Sequence, residues 1–140
     1  MNLIDQLVLH EGVRHKVYTC PAGKLTIGVG RNIEDLGLSD DEIYYLLKND
    51  IRRCDEELTN AFRFYKDLDS VRKDAMINMA FNIGISRLRG FKMALKLMET
   101  KEYSEASMEF LDSLWASQVG QRALDIAHMI KKPIIVLKTL

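Results

Sequence analysis

The sequence predicts an α+β fold, mainly helical, in which a small lobe carrying one β-hairpin and a larger helical lobe are joined by a long helix. Three observations carry this. Apolar residues recur at helical spacing over most of the chain, β-formers and turn residues alternate in a single early stretch, and one unbroken helical stripe links the two regions. With 140 residues and 47% hydrophobic composition, the chain can bury one core but not two independent ones. Only 8 glycines and 2 prolines interrupt it, so regular structure dominates.

Leu3, Ile4, Leu7 and Val8 fall on one face of a short helix that ends near Glu11-Gly12. Val17 and Tyr18 favour extended backbone, Cys20-Pro21-Ala22-Gly23 reads as a turn, and Leu25 to Gly30 reads as a returning strand. The two late glycines, Gly28 and Gly30, imply unusual dihedrals or close backbone approach. Ser39-Asp40-Asp41-Glu42 is a capping box, and the helix it opens carries Ile43, Leu47, Ile51, Cys54 and Leu58 on one stripe. Cys54 is thereby assigned as a small buried apolar residue. Phe62 to Tyr65 suggests a short helical turn. Ala75, Met76, Met79, Ala80 and Ile83 mark a strongly apolar helix that starts at Ser70 and stops at Gly84, the expected centre of the core. Shorter helices follow at about 91–99, 103–112, Leu114-Trp115 and 120–130, the last with Ala123, Leu124, Ile126, Ala127 and Ile130 facing inward. The run Pro133 to Leu137 reads as a strand or a packed extended arm. The expected division is a hairpin lobe at about 13–38 and a helical lobe at about 59–140 that also takes in the N-terminal helix, together one domain over 1–140.

Formal net charge is zero, yet residues 1–70 hold nine Lys/Arg against thirteen Asp/Glu and residues 71–140 hold eleven against seven. A basic half suits a polyanionic partner; ordinary solvated helix faces account for it equally well. Cys20 and Cys54 have neither zinc spacing nor a disulfide framework, so both are expected as free thiols. No His/Asp/Cys cluster has ligand spacing, so no metal and no organic cofactor is expected. The start, Met1-Asn2-Leu3-Ile4-Asp5, lacks the basic and apolar regions of a signal peptide, and no apolar run approaches the ~20 residues of a membrane span.

The segment from Glu11 through Tyr18, Cys20, Thr26 and Ile27-Gly28-Val29-Gly30 resembles the active-site region of phage lysozymes of the T-even type. In that family a Glu ends the first helix, an Asp or Cys follows nine residues on, and a Thr stands six further on. Asp74 to Gly84, with Gly90-Phe91 after it, resembles the family's core helix, and Trp115-Ala116-Ser117-Gln118 with Gln121-Arg122-Ala123 resembles its late block. Three ordered blocks span most of the chain. The resemblance implies a lysozyme-like two-lobed fold and a muramidase that cuts the β-1,4 bond between N-acetylmuramic acid and N-acetylglucosamine in bacterial peptidoglycan, for host-cell lysis. It implies a monomer that binds neither nucleic acid nor membrane stably, made in the host cytoplasm and released through a separate pore protein.

The residue types suit that chemistry. Glycosidic cleavage needs a carboxyl that donates to the leaving oxygen, and Glu11 at a helix C-terminus is the candidate acid. The resemblance makes Arg122 its orienting partner, an ion pair that would lower the carboxyl pKa. Cys20 stands where a base, nucleophile or electrostatic stabiliser belongs, and as a thiolate it can serve, with His15, Lys16 and Lys24 near in sequence. Thr26 is expected to hold water or Cys20 with its hydroxyl. Asn32 and Phe81 match positions lining the family's saccharide groove, although Phe81 suits a core equally. Two departures stand out: Arg31 replaces a more common His, and the connection Ile33–Leu38 is short, which is expected to remove the third strand of larger relatives.

Three other readings compete. A lytic transglycosylase cuts the same bond with one Glu, and the missing second carboxylate favours it. A thiol enzyme would use Cys20 with His10 or His15, without a readable triad spacing. A non-enzymatic wall- or nucleic-acid-binding helical module would use Arg87, Arg89, Lys92 and Lys96, a region that lacks interleaved exposed aromatics.

Overall fold

A computed structural model describes residues 1–132, which form eight α-helices, one 3-10 turn and a three-stranded antiparallel sheet. The chain divides into two compact units, Met1–Leu47 and the residues from Lys48 on.

In the first unit, α1 (Leu3–Glu11) starts under an Asn2 cap whose Oδ1 accepts from the Asp5 amide at 2.8 Å, and ends where the Gly12 amide bonds the Val8 carbonyl at 2.8 Å. Strands β1 (Arg14–Thr19) and β2 (Leu25–Gly28) pair with Tyr18 opposite Thr26. Pro21-Ala22-Gly23 closes them as a three-residue loop, held by Gly23 N–H to Cys20 O (2.8 Å) and Cys20 N–H to Lys24 O (2.9 Å).

The returning strand is shorter than expected and a third strand is present. Gly28 and Gly30 both take positive φ, 71° and 65°, and reverse the chain about Val29. The run Leu25 to Gly30 read as one strand thus becomes β2 and a turn, and β3 (Arg31–Asn32) follows it, with Thr26 opposite Asn32 and Ile27 opposite Arg31. The residues after it, expected as a bare connection, form α2 (Ile33–Leu36), capped by Asn32 Oδ1 on the Asp35 amide at 3.0 Å.

The capping box holds. Glu42 Oε1 accepts from Ser39 N at 2.8 Å and Ser39 Oγ from Glu42 N at 3.3 Å, opening α3 (Asp40–Ala61). Only Cys54 and Leu58 of its stripe are buried; Ile43, Leu47 and Ile51 remain exposed. The unexpected Arg31 is used here: its guanidinium grips the Glu42 carboxylate (Nη1–Oε1 2.7 Å) and bonds the Gly37 carbonyl at 3.2 Å, tying β3 to the start of α3.

The second unit is a helical bundle. The 3-10 turn lies at Tyr65–Asp67, starting three residues later than the expected Phe62 to Tyr65. Tyr65 is buried and donates to Asp55 Oδ1 at 2.5 Å. The central helix α4 (Ser70–Leu88) breaks at Gly84 as the sequence implies, with φ 81°, and one further turn runs on to Leu88. Met76 and Met79 are fully buried on it, packed with Ile126 and Ile130 of α8 (Gln121–Lys131). Helices α5 (Lys92–Glu99), α6 (Tyr103–Leu111) and α7 (Leu114–Val119) complete the bundle. Phe91 packs between Phe110 (5.6 Å) and Trp115 (6.1 Å, edge-on), and the Trp115 indole N–H donates to Asn82 Oδ1 at 2.8 Å. Leu124, expected inside, is 52% exposed, because it projects off the stripe shared by Ala123, Ile126, Ala127 and Ile130. The expected strand or arm at 133–137 lies outside the described residues.

Candidate active site

Within the first unit four of the predicted residues share one small sheet, its hairpin loop and the helix before it. Glu11 is the last residue of α1 and its side chain lies directly against the backbone of Gly30. A Cβ built on Gly30 would stand 2.7 Å from Glu11 Oε2, 2.8 Å from its Cδ and 3.0 Å from its Cγ. The glycine therefore supplies a flat shelf for the carboxyl, and its φ of 65° is itself a glycine conformation. Sequence reasoning flagged this glycine for close approach; the side chain it receives is Glu11.

Cys20 opens the hairpin loop and is partly exposed. Its thiol pKa is lowered, first by the Lys24 backbone N–H, then by the Thr26 hydroxyl, with the Ala22 and Cys20 amides adding and desolvation opposing. A cluster of loop N–H groups thus favours a negative sulfur. Cys54 is the contrast: buried in the second unit, its thiol pKa is raised, chiefly by desolvation.

Thr26 is 3% exposed and its hydroxyl donates to the Lys24 carbonyl at 2.9 Å. One hydroxyl proton serves that carbonyl or the sulfur, not both, so charge on Cys20 and the Thr26 rotor are coupled. Asn32 stands opposite Thr26 in the sheet, but its amide is engaged with Asp35: Oδ1 accepts the backbone N–H and Nδ2 donates to Oδ2 at 2.9 Å. Its capping role was not read from the sequence. Lys24, expected near Cys20 as a cation, pairs instead with Glu34 (3.5 Å) and Asp35 (3.3 Å).

The other two predicted residues belong to the second unit. Phe81 is 46% exposed, so it is no core residue. Its ring walls a pocket of ≈ 360 Å³ with Asp50, Arg53 and Glu57 of α3 and Gly84 and Ile85 of α4. Arg53 is paired there with Asp50 at 3.0 Å and Glu57 at 3.8 Å. An aromatic face beside charged hydrogen-bonding groups is a surface suited to sugar rings. Arg122 is half-buried and held by Asn78 of α4: Nε donates to Oδ1 at 2.8 Å and Nη2 to the backbone carbonyl at 3.1 Å. Asn78 went unremarked in the sequence, where only the Asp74–Gly84 block as a whole drew notice. Among the described residues no helix is long and apolar enough to cross a membrane, and no group of three His, Cys, Asp or Glu has metal-site geometry.

Comparison with known proteins identifies the family. The chain is 30% identical to a probable T4-type lysozyme 1 of Dictyostelium discoideum, over 91% of this chain and 92% of that protein. It is 31% identical to an endolysin of Acyrthosiphon pisum secondary endosymbiont phage 1, over 81% and 77% respectively. A SAR-endolysin of Haemophilus phage HP1 is 29% identical, over 76% of this chain and 59% of its own. The profile of the phage lysozyme family matches residues 8–128. With the family profile matching residues 8–128 and a 30% identical relative aligned over most of both chains, the protein belongs to the phage lysozyme family of cell-wall lytic enzymes.

Proposed function

We propose that the protein is a muramidase acting as an endolysin, hydrolysing the β-1,4 bond between N-acetylmuramic acid and N-acetylglucosamine in peptidoglycan. The observation that carries this is the Glu11 carboxyl resting on Gly30, in the same unit as the anion-favouring loop at Cys20. Glu11 gives its proton to the glycosidic oxygen as the bond breaks, and positive charge develops on the sugar ring. Cys20 as thiolate stabilises that charge or takes a proton from the attacking water; Thr26 steadies the sulfur. In the same reading Arg122 is the orienting cation for Glu11, and Asn32 and Phe81 contact saccharide. No cofactor takes part. The enzyme works as a monomeric catalytic domain on the cell wall, reached through a separate pore protein.

The second reading is a lytic transglycosylase, favoured by the thiol at position 20, where a two-carboxylate hydrolase holds an acid. Digestion of peptidoglycan by wild type, Glu11→Gln and Cys20→Ala, with product masses recorded, separates the two. Hydrolysis adds the mass of one water per bond cleaved; cleavage to an anhydro product adds none. Glu11→Gln is expected to lose at least about 10²-fold, the scale of removing a general acid. Unchanged activity of that variant ends the assignment. Cell-wall affinity without any lysis by wild type would mark a binding module instead.

A further inference from the structure

The second unit carries a basic groove that the cleavage chemistry does not use. It has a volume of ≈ 610 Å³ and is lined by Phe62, Arg63 and Phe64 after α3, by Arg89 at the end of α4, and by Lys92 and Lys96 of α5. Glu99 is the one carboxylate on its wall, so four cations face one anion in a protein of zero net charge. Among the described residues none of these four cations pairs with a carboxylate. The floor is apolar: the Phe62 and Phe64 rings stack on each other at 5.7 Å with Leu95 beside them. Lys92 is also the first residue of α5, whose N-terminus has no side-chain cap.

We propose that this groove binds a phosphodiester-linked envelope polymer, anionic phosphates along an aliphatic backbone, and so holds the enzyme at the wall. Unpaired cations spaced along a channel match charges repeating along a chain. An apolar floor accepts the carbon segments between phosphates. The concave form suits a strand rather than a lipid surface, which selects projecting apolar residues. The two phenyl rings are engaged with one another and half-buried, so they offer no free faces on which bases could stack.

The test is binding of poly(glycerol phosphate), measured by fluorescence anisotropy, to wild type, Lys92→Gln/Lys96→Gln and Lys48→Gln, with folding of each checked by circular dichroism. Lys48 is exposed on α3 and lines no part of the groove. Neutralising about three phosphates gives a salt slope of roughly −2, hence roughly 15-fold weaker binding from 50 to 200 mM salt. The double variant is expected to bind at least about 10-fold more weakly, with a slope shallower by roughly 1.4, while Lys48→Gln matches wild type. Absence of binding at 50 mM salt overturns the proposal, as does equal weakening in Lys48→Gln. Tighter binding to an oligonucleotide or to anionic vesicles than to the polymer overturns it in favour of those partners, and equal binding of polyglutamate removes the phosphate.

Discussion

Replacing Gly30 by alanine puts the placement of the acid to a quantitative test. The new methyl would lie 2.7 Å from Glu11 Oε2 and 2.8 Å from Cδ, well inside ordinary contact, so the carboxyl must move away. Alanine also has to adopt φ near 65°, which costs about 1–2 kcal/mol, or a Tm drop of roughly 3–8 °C. Displacing a catalytic group by about 1 Å costs on the order of 10²-fold in rate. Gly28→Ala provides the control. Gly28 has φ 71° and open space around its would-be Cβ, so it pays the same backbone strain without touching Glu11. The expected result is two variants with similar Tm, of which Gly30→Ala loses about 10²-fold in peptidoglycan lysis and Gly28→Ala keeps its rate. Equal activities at equal stability would refute the claim that Gly30 shapes the position of the acid.

Other outcomes follow from the charges. Cys20, with its thiol pKa lowered by the Lys24 amide, should be alkylated by iodoacetamide with a half-rise below the ordinary thiol value, while Cys54 should react slowly and only at higher pH; mass spectrometry of a pH series reads both, and the reverse order would discredit the loop-amide account. Glu42 is held at a pKa of about 2 by the Arg31 guanidinium and then by Ser39. Because the folded value is the lower one, its stabilisation is present above the ordinary carboxylate range and fades as pH falls toward 2. Glu42→Gln should therefore lower Tm at neutral pH and narrow its gap to wild type on acidification, and a constant gap would contradict the pairing.

Local signals were legible where one short segment determines the outcome. The capping box at Ser39–Glu42, the end of α1 at Glu11-Gly12, the turn at Cys20–Gly23 and the break at Gly84 each depend on residues a few positions apart, and the structure has all four. What escaped depends on which partner a residue meets. Gly28 and Gly30 announced unusual backbone, but their joint reversal about Val29, and hence β3, needed the cross-strand register. The capping role of Asn32 depends on Asp35 standing three residues later to meet its amide. Leu124 fits an apolar stripe by composition and misses it by angle. The basic residues after Gly84 have only Phe91 among them in sequence, and it packs on Phe110 and Trp115; Phe62 and Phe64 reach them only through packing of distant segments.

The amides gathered around residue 20 have a consequence for what that place tolerates. Main-chain N–H groups respond to charge and pay little regard to the element that bears it. A sulfur anion and an oxygen anion are both welcome there, whereas a neutral Ala or Ser leaves those donors without a counter-charge. The hairpin loop thus leans toward charge at position 20, and an exchange of thiol for carboxylate at this point would alter the chemistry while sparing the scaffold.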